Sequence, residues 1–264
     1  MTTLAPVLPA AARRAGLPQR LREAEGVALT FDDGPHPEGT AAMLEILAAR
    51  GARAWFFLVG EQVERRPELA RRIAAAGHVV ALHGHRHRLQ LRLGASEVLD
   101  DLRRGRAAIE AATGSPVRWH RPPYGIYTAG GLDAVRQAGL DPLLWSRWGK
   151  DWRKWTTPGR IAQRATRDLA AGDVILLHDA DFYSSRNSYR RTAEALPEII
   201  NELNRLGLDT VLRVRHACDG APPLRAFASG LGRDRVLARV PALGPGICRS
   251  YVDDDHCFHY RERP

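Results

Sequence analysis

Thr30-Phe31-Asp32-Asp33-Gly34-Pro35 ends a short strand-like run, residues 27–31, with two adjacent carboxylates. Two histidines, His83 and His87, stand four residues apart after a second apolar run, residues 79–82. Two imidazoles and one carboxylate form an incomplete coordination shell for a divalent metal ion, with positions left for water and substrate. This set of residues predicts metal-assisted hydrolysis, although Asp, Gly and Pro also form ordinary turns.

The composition indicates one sizeable core. The chain has 264 residues, of which 44% are hydrophobic, and an α/β barrel takes this length as a single domain. The formal net charge of +9 comes almost entirely from scattered arginines, since the only lysines are Lys150 and Lys154. We see no basic stripe with interleaved aromatic residues, so the sequence predicts no nucleic acid partner.

The cysteines and the N-terminus carry no targeting or disulfide signal. Cys218, Cys248 and Cys257 are odd in number and lack CxxC spacing, which argues against a disulfide framework or a zinc finger. The apolar run at residues 4–12 is broken by two prolines, and no run approaches the roughly 20 apolar residues that span a bilayer. We therefore expect a cytoplasmic protein without a membrane partner, unless an export segment precedes this start.

Short apolar runs alternate with longer helical patterns. Strands are predicted at residues 27–31, 54–59, 79–82, 117–121, 142–146, 173–177 and 210–214, and helices at residues 38–50, 68–76, 97–112, 131–138, 158–171 and 189–206. Regular alternation of this kind implies parallel strands joined by helical crossovers. The fold class is therefore α/β, either a doubly wound sheet or a (β/α) barrel.

Polar residues recur where the predicted strands end, and their position favours the barrel. In a (β/α) barrel the carboxyl ends of all strands meet at one mouth, which is where catalytic groups lie. A shared active site is therefore predicted from residues that are far apart in the chain. These residues are Asp32, Asp33, His83, His87, Arg121, Asp151 and His178.

Five motifs in this order resemble those of the polysaccharide deacetylases, the NodB-homology carbohydrate esterases. The resemblance covers about residues 25–215 and leaves an N-terminal segment, residues 1–24, and an irregular C-terminal extension of unknown role, residues 216–264. It implies a distorted (β/α)7–8 barrel that removes acetyl groups, mostly from N-acetylated hexosamine glycans, with one divalent metal ion. The motifs are Thr30-Phe31-Asp32-Asp33-Gly34-Pro35, residues 83–87, Arg121-Pro122-Pro123-Tyr124, Asp151-Trp152 and Leu176-Leu177-His178-Asp179.

Carried over position by position, the resemblance assigns a role to each site residue. It implies that Asp33, His83 and His87 bind the metal, that Asp32 is the general base and that His178 is the general acid. The metal is often zinc in this family, and a site of two histidines and one carboxylate also accepts cobalt, nickel or iron.

The resemblance also implies supporting roles around these groups. Arg121 would hold Asp32 by a charge-assisted pair, and Asp151 would orient His178. The backbone N–H of Tyr124 would stabilise the oxyanion. Substrate binding would further involve Pro123, Trp152 and Leu177, of which the last two line the pocket for the acetyl methyl group.

The sequence departs from the family pattern at three positions. Gly84 stands where the family usually has Ser or Thr, so a hydroxyl that braces the loop is missing. His85 is an additional imidazole that could compete as a metal ligand. Trp148 stands where an acidic residue often begins the fourth motif. These changes bear on the shape of the pocket more than on the type of reaction.

Three functions remain open from the sequence. The first is removal of an N-acetyl group from an N-acetylated amino sugar or glycan. The second is an amidohydrolase on the same scaffold that cleaves a formamide, a ureide or an acylated biosynthetic intermediate, which would suit a chain without an export signal. The third is a non-catalytic carbohydrate-binding relative, which would have no need of Asp32 or His178. The sequence does not specify the oligomeric state.

Overall fold

A computed structural model describes residues 17–211 apart from residue 23, together with residues 2–3, 12, 249–253 and 256–260. The chain divides into two compact units, residues 1–214 and 215–264. In the second unit, strands Arg249–Asp253 and His256–Tyr260 pair as an antiparallel hairpin. Among the described residues, no helix combines the length and apolarity needed to cross a membrane.

The first unit is built on a seven-stranded parallel sheet. Its spatial order is β5-β4-β3-β2-β1-β7-β6, so the chain begins in the middle and adds strands on both sides. The strands are β1, Ala28–Asp32; β2, Trp55–Leu58; β3, Val79–Leu82; β4, Trp119–His120; β5, Asp141–Pro142; β6, Arg147–Trp148; and β7, Val174–His178.

Helices cover this sheet, which confirms the predicted α/β class and the distorted barrel. All five residues of β1 and all four of β2 are buried, as expected for parallel strands that are covered on both faces. The helices are α1, Gly39–Ala49; α2, Gly60–Arg65; α3, Pro67–Ala75; α4, Ala95–Thr113; α5, Ala129–Gln137; α6, Pro158–Thr166; and α7, Ser188–Arg205.

Local sequence signals set several helix starts. Pro67 occupies the first turn of α3, where its fixed φ suits the helix and its missing N–H costs nothing. The hydroxyl of Thr128 accepts a hydrogen bond from Gly131 N–H at 2.9 Å and so caps α5. Thr157 caps α6 in the same way through Arg160 N–H. Such caps satisfy backbone donors that have no partner within the helix.

The prediction of one strand at residues 142–146 is wrong. The chain instead pairs at β5, crosses from one edge of the sheet to the other, and pairs again at β6. During the crossing, Leu143 N–H donates to His120 O and Ser146 N–H donates to Val174 O, both at 3.0 Å. The crossing segment is buried, so its apolar composition looks like that of a strand.

Two other differences concern short elements. Helix α2 follows β2 directly and was not predicted, because six residues are too few to show a helical period. The predicted strand at residues 210–214 is described only at its start, where Thr210 forms an isolated parallel bridge with Val27. Residues 212–214 lie outside the described part of the chain.

Candidate active site

The structure brings Asp33, His83 and His87 together at the carboxyl edge of the sheet. Asp33 Oδ1 lies 3.4 Å from His83 Nε2 and 3.3 Å from His87 Nε2. One ligand atom from each of the three residues lies within 4.8 Å of the others. Asp33 Oδ1 is buried without a hydrogen-bond partner, which is costly unless a further group satisfies it. A carboxylate oxygen and two imidazole nitrogens in this arrangement fit a divalent metal ion.

The backbone carbonyl of Arg121 orients the imidazole of His83. His83 Nδ1 lies 2.8 Å from the carbonyl oxygen of Arg121, which can only accept a hydrogen bond. Nδ1 therefore donates to that carbonyl oxygen, and Nε2 is the ring nitrogen that faces Asp33. Metal-binding histidines are usually oriented by such a hydrogen bond from the other ring nitrogen.

Asp33 adopts an unusual backbone conformation that turns its side chain towards the histidines. Its φ angle is +81°, in a region that residues other than glycine seldom occupy and that is often found at functional sites. Burial alone would raise the pKa of Asp33, but the adjacent imidazoles of His83 and His87 hold it well below its usual range. The carboxylate is therefore ionised at neutral pH and available as an anionic ligand.

Asp32 points into the barrel and is fixed by Arg121. Asp32 Oδ1 accepts a hydrogen bond from Arg121 Nη1 at 2.6 Å, and the other oxygen lies 3.9 Å from His83 Nε2. Both side chains are almost completely removed from solvent. A charge-assisted pair in such surroundings orients the carboxylate strongly.

The guanidinium of Arg121 is itself held on all sides. Nη1 also donates to Thr30 Oγ1 at 2.8 Å, and Nε and Nη2 donate to the carbonyl oxygens of Leu143 and Leu144. The ring of Phe57 lies 3.9 Å from the guanidinium carbon. The buried crossing between β5 and β6 thus contributes to the site by providing acceptors for Arg121.

His178 and Asp151 form the second polar pair. Asp151 Oδ1 accepts a hydrogen bond from the ring nitrogen Nδ1 of His178 at 2.9 Å. Asp151 Oδ2 accepts from the backbone N–H of His178 at 2.7 Å and from Thr192 Oγ1 at 2.8 Å. Burial lowers the pKa of His178, but the carboxylates of Asp151, Asp33 and Asp32 outweigh it and raise that pKa to about 10. His178 is therefore protonated at neutral pH, as a proton donor must be.

Two of the residues predicted to bind substrate contact these groups: Trp152 contacts His178, and Tyr124 contacts His87. The ring of Trp152 lies edge-on to His178 at 5.4 Å, while Leu177 and Pro123 are buried. Tyr124 is 57% exposed and has a φ angle of +62°.

The loop between the two histidines has a brace that the sequence did not reveal. Asp101, on α4, accepts hydrogen bonds from His85 N–H at 2.7 Å, from Arg86 N–H at 3.3 Å and from the guanidinium of Arg88 at 2.9 Å. A carboxylate from another element therefore braces the loop in place of the hydroxyl that Gly84 lacks. No local signal connects Asp101 with this loop.

His85 is not part of the cluster of Asp33, His83 and His87. Its Nε2 lies 3.9 Å from a carboxylate oxygen of Glu64, and its Nδ1 is buried beside Gly60. The structure therefore does not bring this imidazole to the three ligand atoms. The four-residue spacing of His83 and His87 distinguishes the two facing histidines from the one between them.

Asp179 is a second buried carboxyl group beside the site. Its side chain contacts Thr40 Oγ1, and a Cβ atom at position 34 would lie 2.3 Å from Asp179 Oδ2, so this turn requires Gly34. Burial, reinforced by the carboxylates of Asp33 and Asp32, raises the pKa of Asp179 to about 7. The sequence motif contains Asp179, but its position under the Asp33 turn is seen only in the structure.

Comparisons with known proteins show the family of this chain. The family model for polysaccharide deacetylase matches residues 20–143. A peptidoglycan-N-acetylglucosamine deacetylase from Bacillus cereus is 31% identical over 197 residues, which cover 72% of this chain and 89% of that protein. The chain belongs to the polysaccharide deacetylase family. A chitooligosaccharide deacetylase from Bradyrhizobium sp. is 36% identical over 192 residues, covering 69% of this chain and 86% of that protein.

Solved structures of the family share the fold, but one of them shows that membership does not guarantee activity. A protein from Bacillus anthracis, described as a family 4 carbohydrate esterase pseudoenzyme, is 29% identical with a TM-score of 0.64. The match covers 71% of this chain and 63% of that one. Activity in this polysaccharide deacetylase family member therefore depends on its own side chains.

Proposed function

We propose that the protein is a metal-dependent hydrolase that removes an N-acetyl group from an N-acetylated amino sugar or glycan. The proposal rests on one observation: a set of metal ligands and a separately held carboxylate lie side by side in one buried site. Asp33, His83 and His87 offer three ligand atoms to a metal, while Asp32 stands beside them with one oxygen held by Arg121 and the other directed at His83.

The ligand set determines what a metal would contribute. When bound by Asp33, His83 and His87, a divalent ion such as zinc would polarise the acetamide carbonyl and lower the pKa of water. Cobalt, nickel or iron would fit the same nitrogen and oxygen donors. The buried and unpartnered Asp33 Oδ1 supports this assignment, because a satisfied carboxylate would have no need of an ion.

Asp32 is placed to act as the general base. One of its oxygens is occupied by Arg121, which leaves the other to accept the proton of the attacking water. Thr30 Oγ1 and two backbone carbonyls hold the guanidinium from behind, so the carboxylate cannot turn away. A base held in this way needs little reorganisation during the reaction.

His178 is placed to act as the general acid. The nitrogen of an amide is a poor leaving group unless it receives a proton. Asp151 accepts from Nδ1, so Nε2 of the imidazolium is left to donate to the departing amine. The raised pKa of His178 means that this proton is present at neutral pH before the substrate binds.

The remaining residues would bind the acetamide and the sugar. The backbone N–H of Tyr124 can donate to the oxyanion that forms on the carbonyl. Trp152 and Leu177 would enclose the acetyl methyl group, and Pro123 would shape the wall next to Tyr124. The exposed ring of Tyr124 offers an aromatic face to a sugar.

The substrate class is tested by acetate release from a graded panel. The panel contains N-acetylglucosamine, chitooligosaccharides of increasing length and peptidoglycan fragments, because related proteins bear the names of deacetylases for the last two classes. We expect zinc-loaded protein to release acetate from at least one oligomeric substrate. Release of formate or ammonia from a formamide or a ureide, without acetate from any glycan, would support the amidohydrolase alternative and contradict the proposal.

The pH dependence provides a test of the acid. The Asp151 carboxylate favours protonated His178, so Asp151→Asn should lower the pKa of His178, since an opposite charge at this range is worth about 1–3 pKa units. The high-pH limb of the kcat/KM profile reports loss of the proton, and it should therefore move to lower pH. Thr192→Val removes only the hydroxyl that contacts Asp151 and should leave the limb near its wild-type position. A limb that stays fixed in Asp151→Asn would contradict the assignment of His178.

A further inference from the structure

The two histidines of the cluster are held in different ways. His83 Nδ1 donates to the carbonyl oxygen of Arg121, whereas His87 Nδ1 is buried and has no hydrogen-bond partner. A metal-binding histidine almost always uses its second nitrogen in a hydrogen bond that fixes the orientation of the ring. Some other contact must therefore set the plane of the His87 imidazole.

Tyr183 makes that contact. Its ring stacks on the imidazole of His87 with centroids 3.9 Å apart and planes inclined by only 6°. The ring of Tyr124 meets the same imidazole edge-on at 4.8 Å. A parallel stack restrains the tilt of the imidazole, and the perpendicular ring adds a second contact, as aromatic geometry favours.

Tyr183 is itself anchored to α2. Its hydroxyl donates to Glu61 Oε1 and accepts from Gln62 Nε2, each at 3.1 Å. The ring is thus fixed by two hydrogen bonds at the end that lies away from its backbone.

The same short helix also holds the loop that carries the histidines. Gly60 N–H donates to the carbonyl oxygen of Gly84, and Glu61 N–H donates to that of His85, both at 2.9 Å. Helix α2 therefore contacts the loop directly through its backbone and holds His87 indirectly through Tyr183.

We propose that Tyr183 is a positioning residue, which fixes the imidazole plane of His87 by stacking in place of a hydrogen bond. In this position, His87 Nε2 faces Asp33 Oδ1 at 3.3 Å. The inference rests on the metal site of the proposed function, because it concerns the affinity of that site for a metal. It adds a residue from outside the five motifs and assigns α2 the task of anchoring it.

The test compares zinc affinity in matched variants by competition with a chromophoric chelator. Tyr183→Leu removes the aromatic face, and we expect its zinc Kd to rise by about 10- to 100-fold, the usual effect of losing a partner that orients a metal ligand. Tyr183→Phe keeps the face and should lie closer to the wild type than to the leucine variant. The control is Tyr189→Leu, since Tyr189 packs at 4.6 Å from His36, a histidine outside the cluster. This control should leave the zinc Kd unchanged even if both leucine variants lose thermal stability.

Cobalt substitution gives a second readout that simple loss of stability would not move. The visible absorption bands of Co²⁺ report ligand geometry, and they should change in folded Tyr183→Leu but persist in Tyr183→Phe. An unchanged zinc Kd in folded Tyr183→Leu, or a phenylalanine variant as weak as the leucine variant, would overturn the proposal. So would a wild-type protein that binds no zinc. Wild-type protein that binds zinc but releases no acetate would contradict the proposed function and leave the role of Tyr183 intact.

Discussion

Asp32→Asn is expected to lower kcat by about two to four orders of magnitude, the usual contribution of a general base, while zinc occupancy stays at the wild-type level. The amide oxygen of asparagine can still accept from Arg121 Nη1, which lies 2.6 Å from the present carboxylate oxygen. The amide nitrogen cannot take a proton from water. The variant therefore separates the chemical step from metal binding, because Asp33, His83 and His87 are unchanged.

The substitution also leaves Arg121 without its buried counter-charge. Breaking a buried ion pair typically destabilises a protein by about 3–5 kcal/mol, so the Tm of Asp32→Asn must be measured beside its kcat. Asp173→Asn is the matched control, because Asp173 is a fully buried carboxylate paired with Arg20 and Arg147. It directly precedes β7, so it lies at the amino ends of the parallel strands, whereas the site lies at their carboxyl ends. We expect this control to lose stability and to keep its kcat.

Turnover of Asp32→Asn close to the wild-type rate would show that another group removes the proton. Equal loss of kcat in both aspartate variants would show that the effect arises from destabilisation. Loss of zinc together with activity would place Asp32 among the ligands, contrary to the geometry, which groups Asp33 and not Asp32 with the two histidines.

His83→Ala should abolish metal binding as well as activity. His83 Nε2 lies 3.4 Å from Asp33 Oδ1, and no other imidazole in the described part of the chain can replace it in that cluster. Since losing only an orienting partner costs about 10- to 100-fold in metal affinity, loss of a ligand itself should weaken zinc binding by more than that. Elemental analysis after dialysis against zinc-free buffer measures the occupancy.

His85→Ala is the matched control for this variant. His85 lies in the same loop and is equally buried, but its ring faces Glu64 and Gly60. The loop would keep its backbone hydrogen bonds to Asp101. We expect full zinc content and activity from His85→Ala. Zinc retained by His83→Ala but lost by His85→Ala would reverse the assignment of the two imidazoles.

The sheet could be predicted because its signals are local. Runs of buried residues such as β1 and β3 are followed by helices with their own start and stop residues, and parallel strands place all their carboxyl ends at one edge. The polar residues that follow these runs therefore had to meet. Asp32 and His178 stand opposite each other in the register of β1 and β7, although 146 positions separate them in the numbering.

The crossing between β5 and β6 could not be predicted, because burial and not strand pairing makes it apolar. Leu144 N–H, in its middle, donates to Pro18 O at 2.8 Å, a contact with a segment that precedes the motifs. The same limit applies to the residues that hold the loop and the imidazole of His87 in place. Asp101 and Tyr183 act through contacts between distant elements, and neither belongs to a recurrent spacing.

Membership of the polysaccharide deacetylase family does not by itself establish activity. A pseudoenzyme within the same family has the same fold, so the fold is compatible with both activity and its absence. This chain has Asp32 fixed by Arg121, His178 fixed by Asp151, and an Asp33 oxygen without a hydrogen-bond partner between two imidazoles.

The most direct measurement is acetate release from a chitooligosaccharide by the same preparation in three states: as zinc-loaded protein, after removal of the metal with a chelator, and after zinc is added back. Metal-dependent deacetylation at this site predicts release in the first state, loss in the second and recovery in the third, with zinc bound at one ion per chain. Acetate release that persists in metal-free protein, or its absence from fully zinc-loaded protein on every N-acetylated glycan tested, would contradict it.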